Sequence, residues 1–383
     1  MDNRIDPTLK TDLQKFGLQS WHDCFHCGNC TALCPLTEDA NMFPRRSIRL
    51  MQMGLKNKLV SSVDPWLCYY CGECSDTCPR DANPGEVLMT LRRYLTSLYD
   101  WTGLSRKFYT SKVWELGAVL LLGGLVVLAF ALFWPGITPE LTADGGVKIN
   151  SIMPIKWVEY ADWSMAIIVA LLLISNILRM YIKIVHGAGA VRIPFFLYFK
   201  EAWQLAFHFS TQWKFSKCDG KKYWLWHWLL MSGYTIMFIM IVAFLPWFQT
   251  EEIYEPWHPQ RLLGYYATFG LLFGLTSVII GRIRKNNAKF KFSHVSDWLF
   301  IIMLFMTVLT GIMVHIFRLG GMPMATYYSY VAHLAILIPM IMIEVPFSKW
   351  SHLAYRPFAI YFANLRKAAL KHQEKLEITL ATT

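Results

Sequence analysis

The sequence predicts an all-α protein in two parts: an N-terminal α-helical ferredoxin-like head holding two [4Fe-4S] clusters, and a six-helix transmembrane bundle behind it. Three observations predict this. A cysteine phrase occurs twice before residue 80, six long apolar runs follow it, and the stretches between the cysteines place apolar residues at helical rather than strand spacing.

The phrase runs Cys24, Cys27, Cys30, Cys34 and Pro35, then again Cys68, Cys71, Cys74, Cys78 and Pro79. This C-x2-C-x2-C-x3-C-P spacing wraps three thiolates around one cubane and sends the fourth to the other. The expected ligand sets are therefore Cys24, Cys27, Cys30 and Cys78 for cluster 1, and Cys68, Cys71, Cys74 and Cys34 for cluster 2. A disulfide framework and zinc are the competing readings, but zinc knuckles take two cysteines rather than three in seven residues. Gly28 and Gly72 stand where a loop wound around a cluster needs backbone freedom. His22 and His26 lie close enough to tune a cluster.

More than half of the 383 residues are hydrophobic, and the charged ones gather before residue 112, between the apolar runs and at the C-terminus. A net charge of +11 invites a nucleic-acid reading, yet the basic residues form no domain of their own and mark helix ends instead. The polar first twenty residues lack a signal-peptide core, so the head is expected in the cytoplasm, where thiols stay reduced. The ninth cysteine, Cys218, has no partner of its own in sequence and reads as structural.

In chain order, residues 1–100 form the iron-sulfur head. Ile48, Met51 and Leu55 mark one helix, and Val87, Leu88, Leu91, Tyr94, Leu95 and Leu98 another. Residues 101–112 read as a linker. Apolar runs near 113–134, 158–185, 223–248, 262–283, 294–317 and 326–347 are each long enough to cross a bilayer, giving a membrane part over 113–355. The connections after the second and fourth runs are rich in lysine and arginine, so the head and both termini fall on the cytoplasmic side of a multi-pass inner-membrane protein. Residues 194–215 are aromatic but broken by Lys200, Glu201 and His208, and read as an amphipathic segment at the interface. Residues 356–383 read as an exposed cytoplasmic tail.

Intramembrane histidines are rare and usually functional. His227 and His352 stand at the cytoplasmic ends of the third and sixth runs, while His315 and His333 stand at the opposite ends of the fifth and sixth. Two histidines at each of two depths suit the axial ligands of two haems b, which makes the bundle a transmembrane cytochrome b bundle. His208 and His294 compete for the inner haem, and His258 and Met237 for the outer. His333 and His352 are nineteen residues apart, about 100° from a common helical face, which Pro346 or a π-bulge would absorb. Glu344 lies in the sixth run and is the candidate for handling quinol protons, or else for pairing with Asn176. An outer quinone site would draw on Glu252, His258 or Arg318, an inner one on Asp297 or Lys349.

These residues resemble known families. The cysteine-rich head is similar to the C subunit of heterodisulfide reductases. His333 with Leu334, the stretch from Val345 to His352, and Trp226 with His227 resemble the haem-ligating helices of their cytochrome b subunit and of the nitrate reductase gamma subunit. One chain fusing both parts resembles the C subunits of quinone-interacting membrane-bound oxidoreductase (Qmo) complexes. The resemblance implies menaquinol as substrate, flavin- and iron-sulfur-containing partner subunits, and adenylylsulfate reductase as the final acceptor in sulfate respiration. The chain has no G-x-G-x-x-G after a strand, hence no dinucleotide site of its own. A heterodisulfide-type or sulfite-reduction complex is an alternative setting, and a haem-free transporter or redox sensor an alternative class.

Overall fold

The computed structural model describes residues 4–37, 42–134, 136–187, 189 and 191–382. Among them the secondary structure is helical throughout, apart from one isolated bridge between Leu141 and Val147.

The head packs short helices around one long one, Pro84–Tyr99. Pro84 opens that helix at the position where its missing N–H would have had no partner. Its apolar positions bury against Leu9, Leu13 and Phe16 from the N-terminus and against Ile48 and Met51 from Arg45–Gln52. The expected linker is itself a helix, Leu104–Thr110, because Asp100 accepts from the backbone N–H groups of Thr102 and Ser105 and fixes the turn before it.

Six helices are long and apolar enough to cross a membrane: Lys112–Phe133, Ile155–His186, Gly220–Val242, Pro259–Arg284, Val295–Leu319 and Pro323–Phe347. Six such helices fit a multi-pass membrane protein. The first span is 6% buried over its apolar window and the sixth 50%, so the first presents leucines outward and the sixth sits centrally. The third span ends earlier than its apolar run, since Pro246 opens a separate short helix, Leu245–Phe248. Gly233 and Gly270 let the third and fourth spans touch: a Cβ on either would lie 2.9 or 2.8 Å from a carbonyl oxygen of the other helix.

The sixth span contains a π-helical turn, Met340–Glu344, then breaks at Ser348 and restarts as His352–Thr382. A π-turn thus lies between His333 and His352, and the break at Ser348 separates them further. Where a tail is expected, the last helix buries Tyr355, Ala359, Phe362, Leu365 and Ala369 against Trp66, Leu95 and Tyr99 of the head and Met180 and Ile184 of the second span. The segment expected at the interface is the helix Phe195–Thr211, packed on that C-terminal helix and exposing Phe195, Phe199 and Trp203. The head and the membrane body therefore share a core.

Candidate redox site of two thiol pouches and two histidine cavities

The two cysteine phrases fold alike. His26 and Tyr70, each just before the second cysteine, have φ of 62° and 56°, and Gly28 and Gly72, just after it, have φ of 89° and 92°. Each glycine starts a short helix, Asn29–Leu33 or Glu73–Asp76, that carries the third cysteine back toward the first two. An L side chain at either glycine would strain the loop.

This geometry brings the thiols together in two adjoining groups. Cys24, Cys27, Cys30 and Cys78 face one another. Cys34 faces Cys71, and Cys34, Cys68, Cys71 and Cys74 line one small cavity. Cys74 also faces Cys30, so the two pouches adjoin. Among the described residues no three His, Cys, Asp or Glu side chains converge tightly enough to clasp one metal ion. Burial pushes the Cys30 thiol up to about 11 and raises Cys34, Cys68 and Cys74. Iron at these positions would strip the proton that burial retains. The Tyr70 N–H donates to Cys68 Sγ at 3.2 Å, the kind of backbone contact that stabilises thiolate charge. The pouches differ in exposure: Cys27 is exposed, whereas Cys68 is buried in the core of the head.

A first cavity, about 340 Å³, lies at the head end of the bundle. His227 and His352 both line it, and so does Cys68 of the second pouch. His352 Nδ1 donates to the Lys349 carbonyl at 2.6 Å, which fixes the ring and leaves Nε2 free. Burial pulls this imidazole down to about 3, so it stays neutral. His227 packs edge-on against Phe215, which stacks on Tyr69, and the Arg356 guanidinium covers Tyr69 at 3.3 Å. Arg92, Arg93, Arg282, Lys289, Lys349 and Arg356 give the lining an excess of positive charge over Asp297, a fit for the two carboxylates of a haem. An ion chain ties this wall to the second pouch: Lys349 to Asp297 at 2.6 Å, Asp297 to Arg93 at 4.0 Å, Arg93 to Glu86 at 2.5 Å, and Tyr70 donating to Glu86 at 3.0 Å. His208 also lines the cavity, while His294 caps the fifth span through Ser296 and does not.

The second cavity, about 360 Å³, lies toward the other end and shares Tyr234, Leu304 and Trp350 with the first. It brings His315 and His333 together with Met237, Arg261, Arg318 and Glu252. His333 matches His352: its Nδ1 donates to the Thr307 carbonyl at 3.0 Å, leaving Nε2 free. His315 does not match. Its Nε2 is occupied by Arg261 at 3.0 Å and by the Tyr265 hydroxyl at 3.1 Å. His258 stacks on Tyr254 with centroids 3.8 Å apart and stands outside the cavity lining. Asp162, which sequence reasoning misses, lines this cavity with its Oδ2 unpartnered; an acid inside an apolar run is the available signal.

Glu344 lines neither cavity. The π-turn swings it toward the first span, where it is fully buried beside Glu115, and Ser348 Oγ donates to Glu115 at 2.8 Å. Asn176 sits beside Tyr355 instead. Tyr109 joins the carboxyl pair to the first cavity, since it faces both glutamates and lines that cavity.

Residues 20–82 match the 4Fe-4S dicluster domain family. The chain is 27% identical over 99 residues to a protein of Archaeoglobus profundus that is itself described as like the C subunit of heterodisulfide reductase, covering 26% of this chain and 53% of that one. It is 32% identical over 88 residues to the C subunit of the H(2):CoB-CoM heterodisulfide,ferredoxin reductase of Methanothermobacter marburgensis, covering 23% and 48%. It is 38% identical over 69 residues to the second iron-sulfur C subunit of the CoB--CoM heterodisulfide reductase of Methanocaldococcus jannaschii, covering 18% and 37%. The chain spans about half the length or less of the relatives it matches. No solved structure matches it. The N-terminal part is thus similar to the C subunit of heterodisulfide reductases and carries a 4Fe-4S dicluster domain, in front of six helices able to span a membrane.

Proposed function

We propose that this chain is the membrane subunit of a quinone-linked oxidoreductase, oxidising menaquinol and relaying electrons through two haems b to the two clusters of a cytoplasmic head. One observation carries the reading: a single cavity is lined by His227, by His352 and by the cluster-2 cysteine Cys68. Haems and cubanes, when bound, supply one-electron carriers. The chain's own residues orient them. Lys349 holds His352 and Thr307 holds His333 with Nε2 directed away from the hydrogen bond. The shared Tyr234 and Trp350, 4.6 Å apart, fill the wall between the two cavities. In this reading cluster 2, nearer the first cavity, precedes cluster 1 in the order of carriers.

Cys27, exposed at the outer face of the head, marks the exit toward flavin- and iron-sulfur-containing partner subunits. The resemblance to Qmo complexes points onward to adenylylsulfate reductase, and a heterodisulfide-type or sulfite-reduction complex is the same circuit with another acceptor. Proton handling by Glu344 then proceeds through Glu115 and Tyr109 rather than by contact with quinol. The test is a pyridine haemochrome spectrum with iron quantified on the purified full-length chain. Two haems b and about eight cluster irons per chain are expected. Absence of b-type absorbance sinks the relay. The occupied Nε2 of His315 favours a second reading in which the outer cavity takes the quinol itself, and one haem per chain would select it.

A further inference from the structure

The ninth cysteine is not isolated. Cys218 is buried, it lines the same small cavity as Cys34, Cys68, Cys71 and Cys74, and its thiol lies within hydrogen-bond reach of Cys71. It comes from the membrane body, in the turn just ahead of the third span. What aims it there is a break in the helix Ser216–Val242 at Gly220, whose φ of 76° and ψ of 164° set the turn 216–219 apart from the span that carries His227. A Cβ at Gly220 would meet nothing within 4 Å, so the glycine serves the backbone bend and not a tight contact.

We propose that Cys218 is a fifth thiol of the second cluster site, a positioning residue that donates an S–H···S hydrogen bond to the Cys71 thiolate and sets the redox potential of cluster 2. The inference rests on the iron-sulfur reading of the cysteine sets. Once Cys71 ligates iron it has no proton to give, and the Cys218 S–H is the only donor of the pair. A donor on a ligand sulfur stabilises the reduced, more negative state of a cluster and raises its potential. The arrangement also makes the potential of a head cluster depend on the membrane body, because the donor sits on the turn that leads into the span lining the first cavity. A buried cysteine acting only as a small apolar filler would have no such effect, and alanine would replace it.

The experiment uses the full chain in detergent, with Cys218→Ala and Cys218→Ser, iron per chain and EPR-monitored redox titration of the clusters. The expected result is unchanged iron, a downward shift of one cluster potential in Cys218→Ala, a smaller shift in Cys218→Ser, whose hydroxyl still donates, and no movement of the other cluster. Unchanged potentials in both variants overturn the inference in favour of a filler. Loss of about half the cluster iron in both overturns it in favour of a ligand. A wild-type chain that binds no cluster defeats the underlying iron-sulfur reading instead, an outcome distinct from both.

Discussion

The two histidine cavities are alike in size and differ in how they are built. The outer one is walled by spans and the loops that join them. The inner one is a joint: its lining takes Cys68 to Tyr70 and Arg92 from the head, His208 and Phe215 from the interfacial region, His227 and Leu275 from spans, and Arg356 from the last helix. The difference teaches that the inner site is completed by the head, whereas the outer one takes no residue from it.

That contrast is open to attack by substitution. The largest effect is expected from His352→Ala, which should remove one b-type signal and stop electron delivery to the clusters while leaving the other haem in place, read by haemochrome and cluster reduction. His315→Ala is the counterpart; retention of both haems there would show that Nε2 serves Arg261 and Tyr265 rather than iron. Next comes Trp66→Ala, which empties a fully buried site between head and last helix, costing about 3–5 kcal/mol and releasing the head. Loss of the inner haem with survival of the outer one would sharpen the comparison, and loss of both would break it. Arg356→Ala removes donors to the Trp66 and Leu67 carbonyls, at 3.0 and 3.4 Å, and should weaken docking by roughly 1–3 kcal/mol, seen as faster limited proteolysis of the head. The smallest effect belongs to Asp76→Asn, which breaks a half-exposed pair with Lys291 at 3.5 Å and should change thermal stability by less than about 1 kcal/mol.

Much of this is legible in the sequence because the signals are local. The cysteine phrase encodes its own loop, and the φ values at Gly28 and Gly72 are those its spacing asks for. Apolar runs find spans within a few residues, missing chiefly where Pro246 ends the third early. Between His333 and His352, where the sequence offers Pro346 or a π-bulge to absorb the nineteenth residue, the chain has a π-turn and then a break at Ser348. What stays hidden depends on contacts across the chain. Nothing near Cys218 in sequence announces Cys71, nothing near Arg261 announces His315, and a charged C-terminus gives no hint that Tyr355 and Leu365 pack on the head. Ideal helical geometry sets Glu344 on the face of His333, and the π-turn Met340–Glu344 is what turns it away.

The last helix, by burying Tyr355 and Leu365 in one core with Trp66, Leu95 and Tyr99, clamps the head to the membrane body. Such a head is not a shuttle on a tether. Carrier separation is then set by a packed core rather than by diffusion, and transfer between the membrane body and the head should be indifferent to solvent viscosity and to salt, the two variables that slow a swinging domain.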